Sequence, residues 1–480
     1  MQKTNVIAVD LDGTLTFTDT LYESLILFVK NKPLLIFSLL FWLLSGRATL
    51  KAKLAKHVEL DVTTLPYNQS LINWLKIERS LGKIIVLCSA TNVKVARAVA
   101  AHLQLFDHVI ASDEITNIKS SQKRKVLEEK FGEKGYDYIG NSYADLSVWI
   151  GAKQAILVNT SRSVQRKASQ VANIYKVFPA KGVSLKSWLK TFRVHQWLKN
   201  TLLFVPLLAA HQVTNIQFLS TLFLAFISFS LCASSVYMTN DLLDLESDRR
   251  HPRKKNRPFA AATIPITAGA LLIPICIFAS LTLGLMVGPV FLSWLIFYLV
   301  LTTTYSVVLK QIVLVDCLTL ASLYTVRIAA GAAAVSIQLS FWLLAFSVFI
   351  FLSLAFVKRF IELELQAKIG NKIVHGRGYK AQDSQLLQTM GVSSGYAAVL
   401  VLALYLQSDN VTMLYSQPLF IWATIPLIHF WISWVWIKAA RDEVHDDPVV
   451  FAIKDKTSLV VAILTTIAVL FASKGVSILW

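Results

Sequence analysis

The stretch YMTNDLLDLESDRRHPRKKNRP, Tyr237–Pro258, ends a long apolar run and leaves it through four carboxylates and six Lys or Arg side chains. Asn240, Asp244 and Asp248 stand four residues apart, so a continuing helix stacks them on one face with Asp241 beside Asp244. Carboxylates crowded in this way repel one another unless a divalent cation sits among them. Hard oxygen ligands that leave room for phosphate oxygens suit Mg²⁺. The cations that follow, among them Arg253, Lys254 and Arg257, offer donors to phosphate. A solvated basic loop beside a membrane span would explain those cations alone. It does not explain periodic carboxylates at an apolar boundary, where charge is costly. The stretch reads as a metal-assisted diphosphate site at a membrane surface.

The rest of the chain fits that setting. Of 480 residues, 55% are hydrophobic and 16% charged, with a mean hydropathy of +0.55. An ordinary soluble domain is less apolar and more charged. The net charge of +18 comes from cations beside apolar segments, which suits lipid headgroups and phosphorylated substrates rather than nucleic acid. The four cysteines are scattered without metal-ligand spacing. The N-terminus, MQKTNVIAVD, lacks a signal-peptide layout, so this end is expected in the cytoplasm.

Two textures divide the sequence. From residue 1 to about 180, short β-rich runs alternate with helical patterns: Val6–Val9, Ile84–Cys88, His108–Ala111, Tyr136–Ile139 and Ala155–Val158. That alternation predicts a doubly wound α/β domain. The remainder, 181–480, predicts an all-α membrane domain. Nine spans are expected at roughly 198–210, 216–239, 265–286, 289–308, 313–334, 341–358, 391–407, 416–437 and 458–474. Lys181–Lys199, Arg249–Arg257, Lys310, Lys358–Lys380 and Lys438–Lys456 carry almost all the loop cations, and the alternate loops carry none. An odd number of spans then places the N-terminus and every charged loop on the cytoplasmic side of a bacterial inner membrane. Ser24–Gly46 is apolar but interrupted by Lys30, Asn31, Lys32 and Pro33. It predicts a helical hairpin resting on the membrane surface.

DLDGTL, Asp10–Leu15, follows the first apolar run. Two carboxylates two residues apart at a strand end can hold Mg²⁺ and aim Asp10 as a nucleophile. Ser89 ends the next run, Lys119 precedes a helix, and Asn141 and Asp145 follow a third run, YIGNSYADLSVW. In that order these residues resemble the four motifs of the haloacid dehalogenase-like phosphatases. The resemblance implies Asp10 as phosphoryl acceptor, Asp12 as general acid and base, and Ser89 and Lys119 as phosphate holders. It implies Mg²⁺ on Asp10, on Asp12 through its backbone carbonyl, and on Asn141 or Asp145. Asn141 stands where the family usually has an acid, which lowers the charge on the metal.

The segment Asn240–Asp248 resembles the first motif of the UbiA-type intramembrane polyprenyl transferases. Those enzymes usually carry a second aspartate-rich motif. At the corresponding place this chain has VKRFIELELQAKIGNKIVHGRGYK, with Lys358, Arg359, Glu362, Glu364, Arg377 and Tyr379 but no paired aspartates. RVHQWLKN (with Lys199 and Asn200), YSVVLK (Tyr305 to Lys310), Asp316, Arg327 and HDDPVVFAIKD resemble the decaprenyl-phosphate phosphoribosyltransferase branch. That resemblance implies phosphoribosyl pyrophosphate and a polyprenyl phosphate as substrates. Asn240, Asp241, Asp244 and Asp248 would hold Mg²⁺. Lys199, Asn200, Arg253, Lys254, Arg257, Tyr305, Lys310, Lys358, Arg359 and Glu362 would meet substrate or phosphate.

The expectation is thus a bifunctional membrane enzyme that transfers 5-phosphoribose to a polyprenyl phosphate and then removes the 5-phosphate. The alternatives are a prenyltransferase acting on an aromatic or small acceptor, with an attached phosphatase, and a membrane scaffold that only binds lipid phosphates. A homo-oligomer is compatible with either catalytic reading.

Overall fold

The computed structural model describes residues 6–113, 116–180, 182–368, 378–407, 415–444 and 447–474. The chain forms two compact units. One comprises 1–193 together with 237–274, and the other comprises 194–236 together with 275–480.

In the first unit, six parallel strands form a sheet in the order β3-β2-β1-β4-β5-β6. They are β1 (Val6–Val9), β2 (Ile84–Asn92), β3 (His108–Ser112), β4 (Tyr136–Gly140), β5 (Ala155–Val158) and β6 (Ile174–Phe178). Five match the expected runs; β6, half exposed in the alternating sequence IYKVF, carried a weaker apolar signal. Side chains alternate across the pleat. Ile7, Val9, Ile85 and Leu87 enter the core on one face, with Leu71 and Leu75. Val6, Ala8, Val86 and Cys88 enter the core on the other, with Tyr138 and Trp149. Burial of each large apolar side chain stabilises the sheet by about 1.5–3 kcal/mol.

Strand order reverses between β1 and β4, and this is where open α/β sheets place their sites. Val9 pairs with both Leu87 and Ile139. Asp10, Ser89 and Asn141 therefore leave the sheet together at its carboxyl edge.

Between β1 and β2 lies a helical cap: Thr20–Asn31, a 3₁₀ turn at Pro33–Leu35, Ser38–Leu44 and Arg47–His57. Asp19 caps the first helix through Leu21 N at 2.8 Å. Phe28, Leu50, Leu54 and Val58 form the cap's own small core. Leu34, Phe37, Leu40, Phe41 and Leu44 lie outside it, 91, 78, 59, 67 and 76% exposed. The expected apolar hairpin is present as three short helices.

Eight described helices are long and apolar enough to cross a membrane: Ile216–Leu243, Ile266–Val287, Pro289–Val307, Val315–Ala334, Phe341–Lys368, Ala381–Leu406, Leu419–Ala440 and Lys456–Ser473. The protein is a multi-pass membrane protein. The first expected span differs: residues Val194–Phe204 form a 3₁₀ helix and Val205–Ala209 a single α-helical turn. Pro206 opens the second of these two short pieces, and neither is long enough to span.

In the second unit, Gly391 and Gly395 let helices meet closely. A Cβ on Gly391 would lie 2.1 Å from the Trp436 ring, and one on Gly395 would lie 2.6 Å from Ile432. Small residues at such crossings are what lipid-embedded packing requires.

Candidate active sites

The carboxyl edge of the sheet gathers the first site. Asp10 is buried and its Oδ1 accepts from Lys123 Nζ at 2.8 Å. Lys123 also donates to Tyr138 Oη at 2.8 Å and lies 3.9 Å from Asp145. The phosphate lysine expected at Lys119 is thus corrected. Lys119 lines the cavity, but it precedes the turn at Ser120, whose φ is 52°. Lys123 lies on the helix Ser121–Phe131, and it is the lysine that reaches the nucleophile.

Asp12 is fixed by three donors. Thr20 gives its N–H and its hydroxyl to Oδ1 at 2.8 Å each, and the Thr91 hydroxyl reaches Oδ2 at 2.5 Å. Neither threonine was singled out from the sequence, because each is remote in the chain and carries no motif. Ser89 is fully buried, and its Oγ accepts from Thr91 N. Gly13, at φ 74°, makes the turn just after the two acids, and a Cβ there would lie 2.1 Å from Asn141 Nδ2. That close approach requires glycine.

Asp145 closes the β4 loop. Its Oδ2 accepts from Asn141 N, Ser142 N and Ser142 Oγ at 2.9–3.1 Å, and Tyr138 Oη donates to Oδ1. Asp145 is thereby committed to loop shape, while the Asn141 side chain faces the Gly13 turn.

Burial pushes the Asp10 carboxyl up to about 7, against Lys123, which draws it down. Burial, with Asp19 adding to it, pushes Asp12 up to about 6. Burial works against the Lys123 charge, but Asp10 and Asp145 outweigh it and hold its pKa above the usual lysine range.

Whether a divalent cation fits can be judged from the donors. Asp10 keeps one carboxylate oxygen outside any described hydrogen bond. Asn141 adds an amide oxygen and Asp12 a backbone carbonyl, all hard ligands. These suit Mg²⁺, although no group of three or more His, Cys, Asp or Glu side chains assembles among the described residues.

The second site lies on the segment that opened the sequence argument. The expected continuous helix breaks at Asp244, between Ile216–Leu243 and Leu245–Arg250. Its hydrogen bonds still run from Asp244 N to Asn240 O and from Asp248 N to Asp244 O. Asp241 is 3% and Asp248 1% exposed. Both accept from the same Arg257 nitrogen, at 3.0 and 2.6 Å. Arg193 also binds Asp241, through both Nε and Nη2. These two carboxylates converge on one cationic position, as a shared cation requires. A guanidinium fills that position where the sequence led us to expect a metal. Burial raises Asp248 above the usual carboxylate range, with Arg257 opposing.

Asp244 instead faces Lys30 at 3.3 Å. Two further pairs tie this segment to the cap: Arg249 with Glu23, at 2.6 and 3.1 Å and nearly buried, and Arg250 with Asp61 at 2.5 Å. Arg253 and Lys254 are exposed. A cavity of about 280 Å³ lies between Asp12, Thr18 and Asn141 on one side and Phe259, Ile264 and Thr267 on the other. No spacing in the sequence foreshadows this proximity.

The second unit holds its own polar centre. Lys199 meets Asp447 at 2.5 Å and Lys358 meets it at 3.5 Å, with Tyr324 Oη at 3.4 Å. The two lysines, with the N-terminus of the helix Pro448–Lys454 that Asp447 caps, hold its carboxyl well below the usual range despite burial. Asp447 was quoted within HDDPVVFAIKD but not singled out; His445 and Asp446 lie outside the described residues.

Four expected phosphate contacts have partners inside the bundle. Arg359 is 1% exposed and bound at each nitrogen: Nε binds Asp316, Nη1 binds Glu362 at 2.6 Å and Nη2 binds Tyr305 at 3.0 Å. Tyr379 closes this network by donating to Asp316 at 2.5 Å. Asn200, also 1% exposed, bridges Ser230 and Arg327 at 2.9 Å each. Tyr305 and Glu362 serve Arg359. A guanidinium with each of its three nitrogens bound inside the bundle anchors helices. Arg377 lies outside the described residues. Removing Arg359 leaves Asp316 buried without its cation, so Arg359→Ala should cost about 3–5 kcal/mol. A detergent-solubilised variant should unfold well below wild type in a thermal scan, and an unchanged Tm would show that the network carries no stability.

The sequence matches the UbiA prenyltransferase family over residues 201–454. Protein y4nM of Sinorhizobium fredii is 34% identical over 466 residues, covering 96% of this chain and 90% of that one. A decaprenyl-phosphate phosphoribosyltransferase of Mycobacterium tuberculosis is 33% identical over 221 residues, covering 45% of this chain and 72% of its own. A HAD family hydrolase from Salmonella enterica is 14% identical with a TM-score of 0.28, covering 36% of this chain and 67% of that one. With a family match over more than half of its length and a relative at 34% identity along nearly all of it, the chain belongs to the UbiA prenyltransferase family.

Proposed function

We propose that this enzyme transfers 5-phosphoribose from phosphoribosyl pyrophosphate to a polyprenyl phosphate, and that its N-terminal domain then removes the 5-phosphate. The observation that carries the transferase reading is the fate of the acids after Lys358. Glu362 is bound by Arg359 and Glu364 by Ser384, so neither is left to build a second metal cluster among the described residues. One acidic cluster suits one diphosphate, whereas the remaining phosphates call for cations. The similarity to a decaprenyl-phosphate phosphoribosyltransferase agrees with this.

In the transfer, the ribose C1–oxygen bond to diphosphate breaks and a C1–oxygen bond to the lipid phosphate forms. Arg193 and Arg257 hold Asp241 and Asp248 in position for the diphosphate end. Arg253, Lys254, Lys310, Lys199 and Lys358 are the cations assigned to the other phosphates. In the hydrolysis, Asp10 attacks phosphorus while Lys123 steadies it, and the sugar oxygen leaves with a proton from Asp12. Water, losing its proton to Asp12, then opens the aspartyl phosphate and frees inorganic phosphate. Mg²⁺ held by Asp10, the Asp12 carbonyl and Asn141 would neutralise phosphate charge in the hydrolysis.

The loop cations support a bacterial inner membrane with the charged loops in the cytoplasm, and the Arg249–Glu23 pair supports the same side for the N-terminal domain. The exposed Leu34–Leu44 segment, flanked by Lys30 and Lys32, fits a hairpin lying in the headgroup region of that membrane. Carrying both activities on one chain raises the effective concentration of the intermediate.

Membranes containing the enzyme are given labelled phosphoribosyl pyrophosphate with polyprenyl phosphate, or a labelled prenyl diphosphate with an aromatic acid. Label should enter the lipid fraction in the first case only. The reverse preference would establish an ordinary prenyltransferase.

A further inference from the structure

The phosphatase cavity has a half that the catalytic residues do not use. It measures about 560 Å³, and its floor carries Asp10, Asp12, Lys119, Lys123 and Asn141. Its other wall, supplied by the cap, carries Leu21, Leu25, Leu39, Leu43 and Leu50, with Tyr22 beside them and Asp19 at the edge. A free sugar phosphate is polar throughout and has nothing to place against five leucines. An apolar wall facing a polar floor suits a ligand with one end of each kind. Leu43 is 51% exposed. It belongs both to the cavity wall and to the exposed apolar run of Leu34–Leu44, so the wall continues to the surface of the hairpin.

Lys51 follows Leu50 on the cap helix Arg47–His57 and lines the same cavity. Its Nζ donates to the Ala90 carbonyl at 2.6 Å, and it forms no ion pair among the described residues. Asp12 and Asp19 lie near enough to act on its charge but not within pairing distance, so the ammonium donates only to a neutral carbonyl. Lys123, by contrast, is consumed by Asp10 and Tyr138.

We propose that the cap leucines bind the portion of a lipid chain nearest its head group, and that Lys51 binds the phosphodiester joining that chain to the sugar. The phosphatase then takes an amphiphile presented at the membrane rather than a soluble sugar phosphate. This rests on the phosphatase reading given above and names the substrate class of that site. The occupant is hydrocarbon because the wall is continuous with the exposed apolar run, and it is doubly phosphorylated because Lys51 supplies a cation apart from the nucleophile's own.

The test uses the full chain in mixed micelles, with farnesylphosphoryl ribose 5-phosphate and ribose 5-phosphate as competing probes. Phosphate release gives kcat/KM for each. Wild type should prefer the lipid-linked probe, and Leu43→Gln and Lys51→Gln should each lower the ratio of the two constants about tenfold or more. Leu43 is half exposed, so its replacement is compatible with folding, and a thermal scan verifies this. An unchanged ratio in both variants, or a wild-type preference for ribose 5-phosphate, would overturn the chain-binding site while leaving the phosphatase standing. Wild type releasing phosphate from neither probe would overturn both.

Discussion

Asp10→Asn should lower phosphate release from the lipid product by about 10,000-fold or more, the scale on which loss of a covalent nucleophile acts. An amide cannot form the acyl phosphate, and it also exchanges the ion pair with Lys123 for a neutral contact. Transfer to the lipid should continue, because the substitution touches none of the side chains that meet Asp241 or Asp248. Lipid extracts from variant membranes should therefore contain a product heavier than that of wild type by one phosphate. Identical products from the two membranes would show that this domain does not process that lipid.

Asp241→Asn should reduce lipid labelling from phosphoribosyl pyrophosphate by about 100-fold or more, the usual loss when one preorganised charge is removed from a transition state. Asp241 accepts from both Arg193 and Arg257, so the substitution also loosens the two guanidinium groups. Asparagine retains a hydrogen-bond acceptor and nearly the same volume, which protects folding. A thermal scan beside the assay separates the effects: lost labelling at an unchanged Tm locates the fault in the site. Labelling at the wild-type rate would remove Asp241 from the reaction.

What the sequence made legible was local. The period-two runs gave five strands of the sheet, and the strand-end acids Asp10 and Asp12 stand at its carboxyl edge as their spacing required. The apolar segments gave eight helices with the expected positions. What it hid depended on contacts between remote residues. Lys119 and Lys123 differ by about one helical turn, and only the Ser120 turn decides which faces Asp10. Thr20 and Thr91 carry no motif in the sequence, yet together they hold both carboxylate oxygens of Asp12. Arg359 looked like a phosphate ligand at a span end, but Asp316 and Tyr305, 43 and 54 residues away in the chain, claim it. The carboxylates of Asp241 and Asp248 read as a metal cluster because their spacing was visible, while Arg193 and Arg257, which they bind, could not be placed. The first expected span failed for a reason that was in view: its run was already short for a bilayer.

The most direct test of the bifunctional account follows one lipid through both reactions. The purified chain, in bilayer discs with polyprenyl phosphate and Mg²⁺, receives phosphoribosyl pyrophosphate, and the lipids are read by mass spectrometry over time. A lipid bearing ribose phosphate should appear first and give way to one lighter by a single phosphate, with inorganic phosphate released in step. A lipid fraction that gains no pentose, or that gains it without ever losing the phosphate, would contradict the account.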